Sequence, residues 1–343
     1  HDRSVIVTIL FAAGALLGST PAHEPRLIED CRAREESFVP VGGTEQWVTI
    51  SGERCDNPVV FFIHGGPGNP LSPYSKSIYG GWEKDFTIVQ WDQRGAGRTF
   101  ARNPGSDGEQ LSIERMTKDG VEVAEYIRRR LGKDKVILVG GSWGSVLGVH
   151  MAKARPDLFS AYIGIGQLVS GQKNPEASYR KVLELARAAG DAETLGKIEP
   201  LGPPPWTNPR NFGILRRATR KYEAATTTPP PEGWWKPAAP YATAEALAAY
   251  EGGEEHSYLQ FVGMNGRGML STVDLPTLGP DFAVPVYLIQ GAQDLVTVPE
   301  VAKDYFDAIR APGKDYILLP ETGHDPNEAS VRALRTVLDK LGR

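Results

Sequence analysis

The stretch KVILV (residues 135–139) followed by GGSWG (residues 140–144) decides how this sequence is expected to fold. The aliphatic run predicts a buried strand, and the segment Ser145–Arg155 has the pattern of a helix. Glycines on both sides of Ser142 allow a sharp turn between the two elements and leave the hydroxyl exposed at the helix N-terminus. We therefore predict that Ser142 is a nucleophile on a strand-to-helix turn.

The same alternation of strand and helix extends over most of the chain. The strand-like runs are Glu45–Ile50, Val59–His64, Phe86–Trp91, Lys135–Val139, Ala161–Ile165, Val284–Gln290 and Asp315–Leu319. The helical patterns between them include Ile113–Leu131, Ser145–Arg155, Pro299–Ile309 and Asn327–Leu341. Short apolar runs separated by helices are typical of parallel strands with crossover connections. The sequence therefore predicts an α/β protein with a mostly parallel sheet flanked by helices, whose site lies at the carboxyl ends of the strands.

One long segment interrupts this alternation. No strand-like run occurs between Leu168 and Val273, where helical patterns at Glu176–Ala189 and Ala242–Tyr250 are joined by proline-rich turns. We predict an inserted helical cap over residues 168–273. The core is then divided into residues 38–167 and 274–343, and residues 1–37 form a separate N-terminal segment and arm.

Two side chains in the second half of the chain complete the predicted site. A serine hydroxyl is a weak nucleophile unless a base takes its proton. Asp294 and His324 each follow one of the late strands, in the chain order serine, acid, histidine that is typical of sheets with such a nucleophile turn. Since the carboxyl ends of parallel strands share one edge, we predict a catalytic triad of Ser142, Asp294 and His324.

The loop HGGPG (residues 64–68) follows an early strand and is expected beside the nucleophile. This is where the second donor of an oxyanion hole is placed in such sheets, so we predict that the amides of Gly66 and Trp143 form the hole. His64 is expected to order the loop by hydrogen bonding rather than to titrate. Asp92 and Arg94, which follow another strand at the same edge, are interpreted as structural residues within reach of this loop.

Three motifs together resemble those of the prolyl aminopeptidase (proline iminopeptidase) family of α/β hydrolases. They are HGGPG (residues 64–68), DQRGAG (residues 92–97) and GGSWG (residues 140–144), and the resemblance covers residues 38–343. It implies the α/β-hydrolase fold and an acyl-enzyme on Ser142, with no metal or other cofactor. It also implies release of an N-terminal proline or small residue from a short peptide or arylamide, and carboxylates of the cap that hold the substrate ammonium group.

The segment EEHSY (residues 254–258) resembles the ammonium-binding stretch of that family. Its Glu-x-x-Tyr spacing makes Glu255 the first candidate, with Glu254 and Tyr258 beside it; a solvated helix start is the alternative interpretation. The acid loop GAQD (residues 291–294) departs from the more usual Gly-Arg-Tyr-Asp. Substrate choice therefore stays open between an aminopeptidase and a carboxylesterase or lactonase, and a non-catalytic ligand-binding relative is a third hypothesis.

Three tryptophans of the cap bear on the same choice. Trp206, Trp234 and Trp235 are candidates to line an apolar acyl or aryl pocket, which would favour an esterase, although packing in a core is the more usual role of such residues. The histidines His150 and His256 have no partner at a spacing that binds metal.

Composition excludes some functions. The chain has 343 residues, 41% of them hydrophobic and 23% charged, with a formal net charge of −4 and no long basic run, so we expect no nucleic-acid partner. Two cysteines, Cys31 and Cys55, are too few for a thiolate zinc cluster, but they could form one disulfide in an oxidising compartment.

The N-terminus carries an apolar segment, residues 5–17, after Arg3 and before a small-residue site ending at Ala22. This pattern is typical of a signal peptide and predicts export to the periplasm or the medium. The alternative is an uncleaved helix that lies on a membrane surface or mediates self-association, since the segment is too short to span a bilayer.

Overall fold

A computed structural model describes residues 33–342 of the chain, and the strands of this part form a single sheet. The strands are β1 Ala33–Val41, β2 Thr44–Gly52, β3 Val59–Ile63, β4 Thr87–Trp91, β5 Val136–Gly141, β6 Phe159–Ile165, β7 Val286–Gly291 and β8 Lys314–Leu319. All seven strands predicted from the sequence are therefore confirmed, with shifts of a few residues at their ends.

The sheet has the order β1-β2-β4-β3-β5-β6-β7-β8. The first two strands form an antiparallel hairpin, β2 pairs antiparallel with β4, and every pair from β4 to β8 is parallel. β3 and β4 are buried along their whole length, as expected of strands covered on both faces. The carboxyl ends of β3, β5, β7 and β8 consequently lie along one edge, and the loops that follow them carry the predicted site residues.

Helices cover both faces of the sheet. They are α1 Ser75–Tyr79, α2 Gly97–Arg102, α3 Ile113–Leu131, α4 Trp143–Ala154, α5 Lys173–Ala189, α6 Ala192–Ile198, α7 Arg210–Thr226, α8 Ala244–Val262, α9 Pro299–Ala308 and α10 Glu328–Leu341. α3 shows why the local sequence folds this way: the Ser112 hydroxyl accepts a hydrogen bond from the amide of Arg115, and Gly132 ends the helix in a left-handed conformation. Its buried stripe of Met116 and Ile127 packs into the core beneath the sheet.

Strand β1 was not among the predicted strands. Its sequence AREESFVPV alternates buried and exposed positions and contains charged residues and Pro40, so it lacks the continuous apolar run of the inner strands. It lies at the edge of the sheet, where one side of a strand needs no partner and a proline is tolerated. β1 also crosses residue 37, so the expected boundary between arm and core falls inside a strand.

Residues 168–273, here called the helical insertion, lie between β6 and β7 and contain α5 to α8. The two ends of the insertion meet, since Ser170 and Asp274 form an antiparallel bridge. The insertion has a small core of its own, in which Trp206 packs against Tyr179 and Phe212.

Helix α8 joins the insertion to the sheet edge and is longer than the predicted Ala242–Tyr250. Gly253 lies against α2, because a Cβ at this position would be 2.8 Å from the backbone nitrogen of Gly97. Ser257, one turn further on, donates a hydrogen bond to the carbonyl of Gly95 at 2.7 Å. These small residues bring α8 directly onto the loops that follow β3 and β4.

Residues 5–17 and Cys31 lie outside the described residues, so the predicted signal peptide, the alternative membrane-surface or self-association role and the Cys31–Cys55 disulfide stay predictions. Within residues 33–342, none of the helices combines the length and the apolar character needed to cross a membrane.

Candidate active site

Ser142 lies on the sharp turn between β5 and α4. Its φ of 50° and ψ of −118° are unfavourable for a residue with a side chain and are held by a hydrogen bond from its amide to the carbonyl of Ile165 at 2.9 Å. The flanking glycines are required by close packing: a Cβ on Gly144 would be 2.0 Å from the carbonyl oxygen of Ile63. The turn therefore has the geometry that the sequence predicted.

The three predicted triad residues are in hydrogen-bonding contact. The Ser142 Oγ is 2.9 Å from His324 Nε2, and His324 Nδ1 is 2.9 Å from Asp294 Oδ2. The other oxygen of Asp294 accepts hydrogen bonds from the amides of Val296 and Thr297, both at 2.8 Å. A carboxylate held in this way fixes the orientation and the tautomer of the imidazole, so that Nε2 faces the serine hydroxyl.

Charges at the site favour an ionised acid and a basic histidine. Burial of Asp294 by itself raises the pKa of its carboxyl, but His324 and the donors from Thr297 and Val296 outweigh burial, and the pKa lies below its usual value. Burial likewise lowers the pKa of His324, yet the Asp294 carboxylate more than compensates, and the pKa of the imidazole is raised. The pair is therefore set up to accept a proton from Ser142.

The loop after β3 lies against the turn that carries Ser142. A Cβ on Gly65 would be 3.4 Å from the Cβ of Ser142, and Gly66 has a φ of 110°, which favours glycine. His64 holds this loop, since its Nδ1 donates to the carbonyl of Gly65 at 2.8 Å and its Nε2 accepts from the amide of Gln93 at 3.1 Å. Burial lowers the pKa of His64 to about 4, which agrees with the structural role expected for it.

Trp143, the second predicted donor, is the first residue of α4. The first amides of a helix have no acceptor within the helix, so its N–H is available to an anion beside Ser142. The indole is fully buried and donates to Gln93 Oε1 at 3.0 Å, and Gln93 Nε2 in turn donates to the carbonyl of His64 at 2.9 Å. Gln93 thus connects the Trp143 side chain to the start of the loop that carries Gly66.

Asp92 and Arg94 have the structural character that was expected, but Arg94 does not contact the oxyanion loop. Its guanidinium forms a bidentate ion pair with the buried Asp119, at 2.7 and 3.0 Å, and donates to the carbonyl of Gly42 at 3.0 Å. Asp92 accepts hydrogen bonds from the Ser72 hydroxyl and the Arg98 amide, and its burial raises the pKa of its carboxyl to about 6.

Of the two neighbouring glutamates in α8, Glu254 is the one that reaches the loop. Both side chains are exposed to solvent, but the Glu254 carboxylate accepts a hydrogen bond from Asn69 Nδ2, in the loop that continues from Gly66, whereas no such bond to the loop is made by Glu255 within the described residues. Tyr258, one turn further along the helix, donates its hydroxyl hydrogen bond to the carbonyl of Pro209 within the insertion and makes none to the loop within the described residues. The expectation that Glu255 is the first candidate is therefore not supported by the position of its side chain.

Glu254 lies on the wall of a cavity of about 250 Å³ between α8 and the loops after β3 and β4. The polar residues that line this cavity are Tyr74, Asp92, Arg98, Tyr241, Tyr250, Glu251 and Glu254. None of the three tryptophans lines it. Trp206 belongs to the core of the insertion, Trp234 packs partly buried against the sheet, and Trp235 is exposed and contacts Tyr74 edge to face at 5.2 Å.

Two residues near the predicted triad were missed from the sequence. Thr297, fully buried, donates to Asp294 Oδ2 at 2.7 Å and lies 3.2 Å from His324 Nδ1. Glu223, in α7 of the insertion, is only 6% exposed and accepts a hydrogen bond from the backbone amide of His324. The position of Thr297, three residues after Asp294, is a sequence signal for a side chain that could bind the acid. No sequence motif indicates that Glu223 contacts His324.

Within the described residues, no group of three histidine, cysteine or acidic side chains is arranged to hold a metal ion. His256 stacks on Phe100 at 5.1 Å, and His150 is half-buried near Lys153. The pKa of each of these histidines is lowered by burial.

Residues 58–329 match the family model described as the alpha/beta hydrolase fold. The chain belongs to this family. The match includes Ser142, Asp294 and His324, and the fold class predicted from the alternation of strands and helices is thereby confirmed.

Several proteins with similar sequences or structures are named as aminopeptidases or proline iminopeptidases. A probable aminopeptidase of Bacillus subtilis, YbaC, is 28% identical over 292 residues, covering 84% of this chain and 89% of the relative. A probable proline iminopeptidase of Streptomyces coelicolor is 28% identical, covering 85% of this chain and 91% of the relative. The solved structure of a proline iminopeptidase-related protein of Thermus thermophilus has a TM-score of 0.57 at 20% identity, covering 90% of this chain and 98% of the other. The resemblance to prolyl aminopeptidases is confirmed, and the chain is an α/β hydrolase.

Proposed function

We propose that the chain is a serine hydrolase that acts through an acyl-enzyme on Ser142 and releases N-terminal proline or small residues from short peptides or arylamides. The observation that carries the reaction class is the 2.9 Å contact between Ser142 Oγ and His324 Nε2, with His324 held by Asp294 on its other side. A nucleophile, a base and an orienting acid in this order are the requirements of acyl transfer to a serine.

In the proposed mechanism, His324 takes the proton of Ser142 as the hydroxyl attacks the carbonyl carbon of the scissile bond. The amides of Gly66 and Trp143 stabilise the oxyanion, and His324 then protonates the leaving amine. A water molecule, activated by the same histidine, attacks the acyl-enzyme, and the acid product leaves as the hydroxyl of Ser142 is restored. Every proton in this cycle moves through His324 Nε2.

The preference for a free amine rests on Glu254. Its carboxylate contacts Asn69 in the loop that carries Gly66, so a substrate bound at Ser142 can direct an ammonium group toward it. A hydrogen bond of this charged kind contributes about 1.5 to 3 kcal/mol, which corresponds to roughly 10- to 100-fold in selectivity. The names of the relatives support the same substrate class, because the two curated ones are called aminopeptidase or proline iminopeptidase.

The test compares proline and alanine arylamides with a short acyl aryl ester. Glu254→Gln should lower kcat/KM on the arylamides roughly 10- to 100-fold and leave the ester almost unchanged. Glu255→Gln is the matched control: this neighbour in α8 is equally exposed but does not share the hydrogen bond to Asn69, and the variant should behave as wild type on both substrates. Equal losses on both substrates, or a loss with Glu255→Gln instead, would contradict the assignment of Glu254.

Two other outcomes separate the alternative functions. An enzyme that hydrolyses the ester well and the arylamides not at all would be a carboxylesterase or lactonase on the same catalytic groups. Failure of a fluorophosphonate probe to label Ser142, together with no turnover of either substrate, would instead indicate a ligand-binding relative. Ser142→Ala should reduce turnover by roughly 10⁶-fold, as loss of the nucleophile does in other serine hydrolases.

A further inference from the structure

The loop that carries His324 is attached to the helical insertion as well as to the sheet. Glu321, three residues before His324, has a φ of 53°, a strained conformation for a residue with a side chain. Its carbonyl accepts a hydrogen bond from the amide of Thr228 at 2.8 Å, and Asn327 Nδ2 donates to the carbonyl of Thr228 at 3.2 Å. The segment just after α7 therefore holds this loop on both sides of the histidine.

Glu223 makes the contact closest to the histidine itself. Its Oε1 accepts the hydrogen bond of the His324 backbone amide, and its other oxygen faces Arg216 Nη1 at 3.4 Å. The carboxylate also fills the space beside Gly323, since a Cβ there would lie 2.6 Å from Glu223 Oε1. A charged group this deeply buried normally has a defined partner, and here the partner is the main chain of the proposed base.

The charged side chains near the His324 imidazole come from the loop after β7, from α7 and from the loop of His324 itself. Asp294 faces the imidazole from the loop after β7, while Arg216 of α7 pairs with both Glu223 and Asp325, at 3.4 and 3.2 Å. The Glu223–Arg216–Asp325 group thus connects the insertion to the residue that follows His324.

We propose that Glu223 is a positioning residue: by accepting the backbone hydrogen bond of His324, it holds the imidazole at the distance from Ser142 that proton transfer requires. The helical insertion then takes part in assembling the catalytic geometry as well as in selecting the substrate. This inference rests on the proposed serine hydrolase function, because it assigns a role relative to His324 as the base.

The decisive comparison is between two substitutions at the same position. Glu223→Gln keeps a carbonyl oxygen that can accept the amide hydrogen bond, whereas Glu223→Ala has no acceptor. With an aryl ester, which does not need the ammonium site, we expect kcat of the alanine variant to fall about 10- to 100-fold with KM within about twofold of wild type. The glutamine variant should stay within about threefold of wild-type kcat.

The pH profile is a second readout, and it reports the charge of Glu223 beside His324 separately from the hydrogen bond that positions the histidine. Removing the negative charge of Glu223 lowers the tendency of His324 to hold a proton, so the acid limb of kcat/KM for Glu223→Gln should move to lower pH. Arg220→Ala, an exposed change one turn away in the same helix, is the control and should leave kcat, KM and the pH profile unchanged.

Gly323→Ala tests the same contact without altering Glu223, in case the alanine variant at the buried site does not fold. Its methyl group should displace the carboxylate and lower kcat to a similar degree. Wild-type kcat in both Glu223→Ala and Gly323→Ala, or a change in KM alone, would overturn the inference. Ser142→Ala separates the two proposals: activity retained in that variant sinks the proposed function, whereas an inactive Ser142→Ala beside a fully active Glu223→Ala sinks only the role of Glu223.

Discussion

Thr297 and His324 donate hydrogen bonds to the same carboxylate oxygen of Asp294, at 2.7 and 2.9 Å. Because Thr297 is fully buried and follows the acid by one tight turn, its hydroxyl limits how far Asp294 Oδ2 can rotate away from the imidazole. Thr297→Val removes the hydroxyl at nearly constant volume and should lower kcat about 10- to 100-fold, which is the range expected for one lost hydrogen bond to a charged group.

Thr297→Ser is the matched control because it keeps the hydroxyl and removes only a methyl group. Its kcat should be much closer to wild type than that of Thr297→Val, measured with one substrate at one pH. Equal activities for the two variants would show that the hydroxyl is not needed to orient Asp294.

Substitution of the acid itself should have a far larger effect. Asp294→Asn can be accommodated in the same volume, but an amide in this place favours the wrong imidazole tautomer, so kcat should fall by about 10⁴-fold. Binding of an unreactive substrate analogue should be nearly unchanged, because Asp294 is buried behind His324 and offers no surface to a substrate. Circular dichroism and the unfolding midpoint would check that the fold is intact.

The pH dependence follows from the sign of the shift at His324. The Asp294 carboxylate raises the pKa of the imidazole above its usual value despite burial, and only the neutral imidazole can accept the serine proton. Activity should therefore be lost as the pH falls through this raised pKa, and kcat/KM should reach half of its plateau above the pH expected for an ordinary histidine. In Asp294→Asn, the residual activity should have its acid limb at lower pH, since the charge that raises the pKa is gone.

Much of the fold could be predicted because the inner strands are continuous apolar runs. A run such as β3, between two helical patterns, is typical of a buried parallel strand. Strand β1 could not be found this way, because an edge strand with a charged exposed face has no such run. The end of α8 was placed too early for another reason. Gly252 and Gly253 are typical of a helix end, yet here the helix continues, and Gly253 is required by contact with α2.

The candidate site was predictable to the extent that it lies on strand ends. Ser142, Asp294 and His324 follow three parallel strands, so topology alone brings them to one edge. The choice between Glu254 and Glu255 could not be made from spacing, since adjacent helical residues point about 100° apart and the packed face of α8 was unknown. Glu223 reaches His324 only through the folding of the insertion onto the sheet, and no local pattern records such a contact.

The contact between α8 and α2 can be tested at two adjacent glycines of α8, because Gly253 is packed against backbone and Gly252 is not. A Cβ on Gly253 would lie 2.8 Å from the nitrogen of Gly97 and 3.1 Å from the Cα of Ala96, so backbone would have to move. A Cβ on Gly252 would meet only the ring edge of Phe100, at 3.2 Å, and a side chain can shift more easily.

Gly253→Ala should therefore lower the free energy of unfolding by about 1 to 3 kcal/mol, the usual cost of overpacking. Gly252→Ala should be neutral or stabilising by up to about 1 kcal/mol, because alanine has the higher helix propensity. Urea unfolding of both variants measures the difference directly. Since Glu254 follows Gly253 immediately, displacement of α8 should also raise KM for a proline arylamide in Gly253→Ala and leave it unchanged in Gly252→Ala. Equal unfolding midpoints and equal KM values in the two variants would show that close contact between α8 and α2 does not position Glu254.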